Sequence, residues 1–329
     1  MSGRQFVQQI ILFSGLLISH HASAQWFTYQ QAIMGTSIVV ELFSDTAKQA
    51  DACSEQVFTE MQRINALMSP TIKASQLAEI NRDAGRQAVK ISRELFELIQ
   101  QSVKFSQLSD GAFDITFASV GHLYDYRMKL HPTAQQIKQQ LNAISYKNIV
   151  LNETDISISF SHEKTRIDLG GIAKGYAVDN GIKILKNCGI ENALVSAGGD
   201  SRILGDKKGR PWVMGVRHPR DKSKVVVSIP LKDEAISTSG DYERYFLKNG
   251  QRYHHIIKPS TGESANQTWS VSVMAQEAVT SDALSTTLFV LGTEKALKLI
   301  NTLDGIEAII IDAKGKMFYS NGLMPPAVH

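Results

Sequence analysis

Four residues with complementary chemistry lie close together in the segment TRIDLGGIAKGYAVDN, residues 165–180: Asp168, the pair Gly170 and Gly171, and Lys174. Paired glycines let the backbone approach a ligand closely, and free N–H groups at the start of a helix attract anions. With a lysine at the same strand-to-helix junction, this arrangement suits a bound diphosphate. The alternative is an ordinary strand-to-helix connection with a solvated lysine.

A carboxylate and a hydroxyl are spaced one helical turn apart in the segment TSDALSTTLF. Asp282 and Thr286 are four residues apart, so both would lie on one face of a helix. Their oxygens are suitable ligands for a hard cation such as Mg²⁺. The alternative is that Asp282 caps the start of a helix, where aspartate is common.

Two adjacent histidines occur in the pattern YHHII, which is typical of a β-strand. Because neighbouring side chains of a strand point to opposite faces, only one of His254 and His255 can face a given site. A histidine beside a phosphoryl centre can accept the proton of an attacking hydroxyl. It can also position a ligand through a hydrogen bond alone.

The common nucleotide-binding motifs do not describe this chain. The loop GGIAKG lacks the G-K-[ST] ending of a P-loop, and no G-x-G-x-x-G follows a predicted strand. The sequence therefore argues against a P-loop ATPase and a Rossmann dehydrogenase. A net charge of +3 from 35 basic and 32 acidic residues gives no indication of nucleic-acid binding.

Seven segments occur in an order that is typical of one protein family. They are MGTSIVVEL from Met34, GAFDIT from Gly111, DLGGIAKGYAVD from Asp168, SAGGDSRILG from Ser196, STSGDYERYF from Ser237, YHHIIKPSTG from Tyr253 and TSDALSTTLFVLG from Thr280. With these segments the chain resembles the ApbE family of FAD:protein FMN transferases. The resemblance extends over roughly residues 34–312. Seven motifs in order are more specific than any one of them.

The resemblance implies an α+β fold, with a mainly antiparallel sheet flanked by helices in a single compact unit. It also implies a magnesium site formed by the Asp282 side chain, the Thr286 hydroxyl and the backbone carbonyl of Gly171. It selects His255 over His254, and catalytic roles are expected for His255 and Asp282. The expected FAD-binding residues are Met34, Thr71, Ala112, Phe113, Asp114, Asp168, Lys174, His255 and Ile256.

Two positions depart from the family pattern. Thr71 stands where relatives often carry an aromatic residue over the flavin site, and threonine cannot stack on a ring in the same way. Lys258 replaces the usual acid or amide before the proline of H-I-I-x-P, and its charge would lower the pKa of His255 if the two are close. Three neighbouring residues could be structural or could form the wall of the cleft, and they remain unassigned: Tyr242, Arg244 and Tyr245.

The activity implied by the resemblance is Mg²⁺-dependent transfer of FMN from FAD to a serine or threonine hydroxyl of a partner protein, with release of AMP. The expected partner is a flavin-carrying subunit of a redox complex with an acceptor motif similar to D-x-x-[ST]-G-[AS]-[ST]. One alternative is an FAD pyrophosphatase, which uses water as the acceptor and releases FMN and AMP. A second alternative is a flavin-binding or maturation protein without turnover, but the intact Asp282 and Thr286 argue against it.

The N-terminal residues resemble an export signal. Arg4 precedes an apolar stretch at residues 10–18, and an A-x-A pattern ends at Ala24. The apolar stretch is about half as long as the roughly 20 residues that a membrane-spanning helix needs, which argues against a membrane anchor. We therefore expect cleavage of residues 1–24 and a soluble periplasmic protein in which residues 25–329 form one flavin transferase domain.

Only two cysteines, Cys53 and Cys188, occur in the chain. They are too few for a zinc cluster or a disulfide framework. One disulfide between them is possible in an oxidising compartment, and two free thiols are the alternative.

Hydrophobic periodicity predicts the elements that would position these residues. One helix is predicted to end at Ser69, a second to follow Ser92, and a third to run from the glycine loop to about Lys186. Strands are predicted at residues 36–43, 193–196, 212–216, 225–231, 252–257 and 269–274. Two further helices are predicted to start near Asp282 and Thr293, and a final hairpin to pair residues 308–311 with 317–319.

Overall fold

The computed structural model describes residues 24–323, which form the strands and helices named below. The strands are β1 (Gln25–Ile33), β2 (Thr36–Ser44), β3 (Val89–Lys90), β4 (Ile149–Asn152), β5 (Ser157–Phe160), β6 (Ala193–Ala197), β7 (Asp200–Leu204), β8 (Trp212–His218), β9 (Asp221–Leu231), β10 (Ala235–Gly240), β11 (Tyr245–Lys248), β12 (Gln251–His254), β13 (Ile257–Lys258), β14 (Glu263–Ser264), β15 (Thr268–Ala275), β16 (Glu307–Asp312) and β17 (Met317–Tyr319). The α-helices are α1 (Ala47–Met68), α2 (Gln76–Asp83), α3 (Arg93–Leu108), α4 (Ala118–Gly121), α5 (Ala134–Gln140), α6 (Ala173–Asn187), α7 (Ala278–Leu291) and α8 (Thr293–Ile300). The expected signal peptide, residues 1–24, lies outside the described residues apart from Ala24.

One sheet of eight strands runs through the protein in the order β1-β2-β6-β7-β10-β15-β16-β17. Every neighbouring pair in this sheet is antiparallel. Alternate side chains of a strand face opposite sides of a sheet, and in β6 Val195 joins the main core while Leu194 joins a core on the other side. The predicted α+β fold with a mainly antiparallel sheet is therefore confirmed.

Helices cover one face of this sheet. Val57 and Met61 of α1 pack with Val178 and Ile182 of α6 in the main core, where the apolar side chains of each helix recur every four residues. α7 and α8 cover β15 and β16 through a second core that contains Phe289. This packing sets α6 and α7 against each other beside β7 and β10. None of the helices within residues 24–323 is long and apolar enough to cross a membrane.

Outside the main sheet, residues 24–323 form the three-stranded sheet β3-β5-β4 and the two-stranded ribbons β8-β9, β11-β12 and β13-β14. β8 and β9 pair with each other and cover the sheet face opposite the helices. β11 and β12 form the second ribbon, in which the rings of Phe246 and Tyr253 stack with centroids 5.2 Å apart. Beyond the paired residues of this ribbon, the backbone N–H of His255 donates to the carbonyl of Arg244 at 3.1 Å. The second ribbon therefore holds Arg244 and His255 side by side.

The segment before the glycine loop is not a strand, although an extended run at Arg166 and Ile167 was expected there. A side chain replaces the missing strand partner. The N–H of Ile167 donates to Oδ1 of Asn81 at 2.7 Å, and Nδ2 of Asn81 donates to the Ile167 carbonyl at 2.8 Å. The loop is therefore held from α2, a constraint that hydrophobic periodicity does not reveal.

Several other elements differ from the prediction: β9 begins at Asp221 instead of residue 225, and β1, β7 and β10 were not predicted. The strand expected at residues 252–257 is divided, because β12 ends at His254 and β13 begins at Ile257. α7 begins at Ala278, one turn before Asp282, instead of near that residue. The predicted ends of α1, α3 and α6 and the final hairpin agree with the structure within a few residues.

The two cysteines lie against each other as free thiols, one on α1 and one directly after α6. Burial raises the pKa of Cys53 to about 12, and the contact with Cys188 acts in the same direction. The backbone carbonyl of Cys188 also accepts a hydrogen bond from the Gln49 side chain at 3.1 Å. Both alternatives for this pair, free thiols and a disulfide, thus stay compatible with its position.

Candidate functional site

The site is centred where α6 and α7 make backbone contact at Gly175. A Cβ atom on Gly175 would lie 2.2 Å from the carbonyl oxygen of Ala278 and 2.8 Å from Cβ of Asp282. Only glycine permits this approach. The N–H of Gly175 donates to Oδ2 of Asp282 at 3.0 Å, and the neighbouring Lys174 places Nζ 3.7 Å from the other oxygen, Oδ1. α6 thus supplies both a hydrogen bond and a positive charge to the Asp282 carboxylate.

The first turn of α7 is capped by a side chain from α6. The carboxylate of Asp179 accepts hydrogen bonds from the N–H groups of Ala278 at 2.9 Å and Val279 at 2.8 Å. Arg202 of β7 holds the same carboxylate at 2.5 Å. Asp282 lies one turn further along the helix and is buried, so its interpretation as the helix cap is wrong. The cap that does exist fixes α7 relative to α6.

Two buried carboxylates share one lysine at this junction. The side chains of Asp200 and Asp282 are 2% and 3% exposed, and Lys174 bonds to Asp200. Burial and the nearby Asp200 raise the pKa of Asp282 to about 7, against the effect of Lys174. Burial acts to lower the pKa of Lys174, but the two carboxylates outweigh it and raise that pKa above its usual value. The lysine is therefore charged, and two carboxylates facing one cation leave an environment that favours a second cation.

The other two expected metal ligands lie next to each other. A Cβ atom on Gly171 would be 3.3 Å from Oγ1 of Thr286 and 3.3 Å from the ring of Phe113. Oγ1 of Thr286 is also 3.2 Å from Oγ of Ser239, on β10. Within residues 24–323 no group of three or more His, Cys, Asp or Glu side chains could hold a metal. A cation here would depend on mixed oxygen donors and water, which is the usual environment of Mg²⁺.

His255 carries an unpaired ring nitrogen. Its Nδ1 is buried and has no hydrogen-bond partner within residues 24–323. Burial, followed by the nearby His254, Arg244 and Lys174, lowers the pKa of His255 to about 3. The ring is therefore neutral at physiological pH, and it becomes an effective base only if an anionic ligand beside it raises its pKa. The charge expected from Lys258 is not among the causes of this shift. His254 is buried at 2% exposure, so it belongs to the packing as expected.

A strained turn between β1 and β2 lies beside Arg244, close to the site. Met34 and Gly35 connect β1 to β2 with φ angles of 55° and 71°. This left-handed conformation is uncommon for a bulky side chain, and such residues cluster at functional sites. A guanidinium nitrogen of Arg244 lies 3.4 Å from where a Cβ of Gly35 would be, so the exposed Arg244 reaches this turn. The turn also borders a groove of about 830 Å³ that Gln62 of α1 lines from the other side.

The two remaining acidic candidates are bonded to backbone groups. Oδ1 of Asp168 accepts a hydrogen bond from the N–H of Gly170 at 2.6 Å and so shapes the glycine loop. Asp114 is 6% exposed and accepts from the N–H of Thr116 at 2.9 Å, from its hydroxyl at 2.6 Å and from the N–H of Tyr146 at 2.7 Å. Burial raises the pKa of both carboxyl groups. A ligand contact of the Asp114 side chain has no support in this geometry.

The other expected FAD contacts differ in exposure. Thr71 is exposed in the turn after α1, with its hydroxyl 3.0 Å from that of Ser69. Phe113 is 3% exposed and packs edge to face on Phe105, with centroids 6.0 Å apart. Ile256, at 6% exposure, and the partly buried Ala112 belong to the core beneath α7 and α8. FAD contacts of these residues stay predictions.

Three residues of the site were not identified from the sequence: Asp179, Asp200 and Arg244. Asp200 follows two glycines in SAGGDSRILG, and a buried position after a tight turn was a usable signal. Asp179 and Arg202 are separated by 23 residues, and their pairing depends on the contact between α6 and β7. Arg244 was noted without a role. In each case the chemistry depends on a partner that is distant in the sequence.

Comparison with known proteins supplies the family. The profile of the ApbE family matches residues 34–310. The FAD:protein FMN transferase of Klebsiella pneumoniae is 32% identical over 289 residues, which cover 87% of this chain and 89% of that protein. The protein of the same name from Treponema pallidum is 31% identical over 325 residues, with 92% and 89% covered.

Solved structures of the same fold give a consistent result. The ApbE protein of Thermotoga maritima superposes with a TM-score of 0.84 and 36% identity, covering 91% of this chain and 98% of the other. The flavin transferase ApbE of Vibrio cholerae superposes with a TM-score of 0.81 and 25% identity, and the match covers 91% of this chain and 98% of the other. The matched profile and these relatives extend over most of the chain, so the protein belongs to the ApbE family.

Proposed function

We propose that this protein is an FAD:protein FMN transferase, which moves the FMN part of FAD to a hydroxyl of a partner protein and releases AMP. The relatives that share its length carry that name. The observation that supports the proposal most directly is the junction of α6 and α7. There, two buried carboxylates, one lysine and the Thr286 hydroxyl meet the Gly171 loop.

The donor set at this junction fits Mg²⁺. Asp282 and Thr286 would hold the ion from one face of α7, and the Gly171 carbonyl would complete the protein contribution from the facing loop. Oδ1 of Asp282 is the carboxylate oxygen that does not accept the Gly175 hydrogen bond. When bound, the ion would neutralise the diphosphate and the AMP leaving group.

The reaction replaces the phosphoanhydride bond of FAD with a phosphoester bond to the acceptor. The acceptor oxygen forms a bond to the phosphorus of the FMN half, the bond from that phosphorus to the AMP oxygen breaks, and the hydroxyl proton must be taken up. His255 is neutral, and its buried Nδ1 has no partner among residues 24–323, so we assign it as the proton acceptor. This role requires the negative charge of the bound diphosphate to raise the pKa of His255 towards neutrality. Proton transfer of this kind contributes about 10²- to 10⁴-fold in rate. The alternative role, positioning of the ligand through a hydrogen bond, uses the same atom.

FAD would be held by charges and backbone groups around the junction. Lys174 and the N–H groups at the start of α6 face the position proposed for the diphosphate, and Arg244 adds charge from the ribbon of β11 and β12. Met34, Thr71 and the segment 112–114 would form the surroundings of the flavin and ribityl parts. Asp168 would act indirectly, by shaping the loop through its hydrogen bond to Gly170.

The proposed acceptor is a flavin-carrying subunit of a redox complex with a D-x-x-[ST]-G-[AS]-[ST]-like motif. The proposed location is the periplasm, after removal of residues 1–24 near Ala24, on the strength of the A-x-A pattern. Mass analysis of the N-terminus of material recovered from the periplasm tests the location. A chain that retains residues 10–18 would contradict it.

Incubation with FAD, Mg²⁺ and an acceptor domain carrying the motif tests the function. We expect the acceptor mass to increase by one FMN moiety, together with release of one AMP. His255→Gln should slow the transfer by about 10²-fold or more while FAD still binds. A chelator in place of Mg²⁺ provides the control.

A pyrophosphatase is the second candidate, because Thr71 is exposed and offers no ring to cover the flavin. It predicts free FMN and AMP with an unmodified acceptor.

A further inference from the structure

Asp200 is a buried carboxylate to which the proposed transfer assigns no role. It is the first residue of β7, and pairing with Ala197 on β6 and with Ser237 on β10 fixes its backbone in the centre of the sheet. At 1% exposure it is sealed from water. Among the described residues, its side-chain partner is Lys174.

Lys174 has two carboxylates within reach and bonds only one of them. Its Nζ atom bonds Oδ2 of Asp200 and stays 3.7 Å from Oδ1 of Asp282, beyond hydrogen-bond distance. The four-carbon stem of a lysine is flexible, so its ammonium group moves to the strongest acceptor in reach. Without the Asp200 charge, that acceptor would be Asp282.

Only one oxygen of Asp282 is open to a cation. Oδ2 accepts the N–H of Gly175 at 3.0 Å, so Oδ1 remains. This is the oxygen that faces Lys174. An ammonium group bonded to Oδ1 would occupy the site of a metal ion and add a like charge beside it, at a burial where charges interact strongly.

We propose that Asp200 is a positioning residue that draws Lys174 away from Asp282 and so keeps Oδ1 of Asp282 available to a divalent cation. The inference rests on the proposed function, because the cation in question is its Mg²⁺. Lys174 keeps two further N–H donors while bonded to Asp200. Lys174 can therefore still contact an anionic ligand while it does not compete with the metal for Oδ1 of Asp282.

Titration of the ligand-free protein with Mg²⁺ alone, followed by calorimetry, tests the proposal in four proteins: wild type, Asp200→Asn, Lys174→Met and the double variant. Asp200→Asn should weaken Mg²⁺ binding by about tenfold or more, since Lys174 then bonds to Asp282. Removing the lysine in the same chain should restore the affinity to within about threefold of wild type. Lys174→Met alone should bind Mg²⁺ at least as tightly as wild type.

Asp241→Asn is the matched control. Asp241 is also a buried aspartate next to β10, and both of its oxygens are held at 2.6 Å by Arg220 instead of by Lys174. This variant loses a buried ion pair and should bind Mg²⁺ as wild type does. Melting temperatures of all variants show that the titrated protein is folded.

Three results would overturn the proposal. Unchanged Mg²⁺ affinity in Asp200→Asn would show that Lys174 does not compete. An equal loss of Mg²⁺ affinity in Asp200→Asn and in the double variant would show that Asp200 binds the metal itself or is needed for the fold. Weaker binding by Lys174→Met, a variant that keeps Asp200, would show that the lysine assists the metal. If wild type itself binds no Mg²⁺, the proposed metal site fails, and this outcome differs from all three.

Discussion

Asp114 and Asp282 are both buried aspartates of segments that carry the family resemblance, and the structure gives them opposite surroundings. Asp114 accepts three hydrogen bonds from Thr116 and Tyr146, so both of its oxygens are satisfied by the protein. Asp282 accepts one backbone hydrogen bond and faces a lysine that bonds elsewhere. We call the first region the Asp114 corner and the second the α6–α7 junction.

The difference separates a carboxylate whose oxygens are both satisfied by the protein from one that keeps an oxygen open. Burial raises the pKa of both carboxyl groups. At the Asp114 corner the hydrogen bonds offset that cost and fix the turn at residues 115–117. At the junction the second carboxylate and the open oxygen leave part of the cost uncompensated, which a cation would relieve. Burial and residue type alone do not distinguish the two cases, but the count of protein donors does.

The largest effect is expected for Asp282→Asn. The side chain keeps its size and its hydrogen bond from Gly175, but its charge is lost, so roughly 10³-fold or more of the transfer rate should disappear. AMP release and melting temperature measured on the same sample provide the test. A variant with near-normal turnover would remove the distinction between the two regions.

A second large effect is expected for Gly175→Ala. The added methyl would approach the Ala278 carbonyl to 2.2 Å, so α7 must move away from α6 and carry Asp282 with it. We expect a loss of about 10²-fold in activity and a lower melting temperature. Gly121→Ala in α4 is the control, because there the methyl meets only the Phe117 ring at 3.1 Å. Wild-type activity in Gly175→Ala would show that the contact does not position the carboxylate.

Asp114→Asn should act on stability instead of chemistry. An amide cannot accept all three hydrogen bonds, and one buried donor left unpaired costs about 1–3 kcal/mol. Urea unfolding should report this loss, while the folded fraction should transfer FMN at a rate near that of wild type. A selective loss of FAD binding with unchanged stability would restore the sequence-based expectation that Asp114 is a ligand contact.

His255 extends the comparison from carboxylates to an imidazole. Its Nδ1 accepts no hydrogen bond from residues 24–323, and in this it resembles Oδ1 of Asp282. Its folded pKa of about 3 lies below that of the unfolded chain, so between these values the unfolded state binds the extra proton. Stability should therefore fall as pH decreases from about 6.5 towards 4. His255→Asn should reduce this slope by close to one proton in unfolding measured across the range. His254, whose pKa is also lowered by burial, leaves a remaining slope in both proteins.

The smallest effect is expected for Thr71→Tyr. If the exposed Thr71 leaves the diphosphate accessible to water, the wild type should slowly release FMN and AMP from FAD and Mg²⁺ without an acceptor. The ring should suppress this release and leave transfer intact. Chromatography of FAD incubated for hours with enzyme that is active in transfer provides the test, and the absence of FMN from such a sample would contradict it.

Local patterns predicted five of the eight strands of the main sheet and its longest helices, but they missed β1, β7 and β10 and gave few of the partners. The periodicity of α1, α3 and α6 gave those helices because each has one apolar face, and the strand pattern gave most of the sheet. The break after His254 and the start of α7 at Ala278 were missed. At these two positions, backbone pairing and a cap from Asp179 decide the boundary, and neither leaves a periodic signal.

Candidate site residues could be proposed from the sequence where their chemistry is contained in one short segment. Asp282, Thr286, Lys174 and His255 were proposed as site residues because their motifs are short and occur in the order of the family. Asp200 and Arg244 were not, because their roles exist only through Lys174 and the Met34 turn. Asp114 was assigned to the ligand although its oxygens accept hydrogen bonds from Thr116 and from the backbone N–H of Tyr146.

The hydrogen bond from Gly175 to Asp282 joins residues 107 positions apart in the chain. Contacts over such distances carry a large loop-closure entropy and form late in folding. A nascent chain that has not yet produced α7 already contains the glycine loop, Lys174 and Asp200, but it lacks Asp282 and Thr286, the proposed metal ligands, and the helix that Asp179 caps. The proposed site can therefore be complete only after the last helices have emerged and packed.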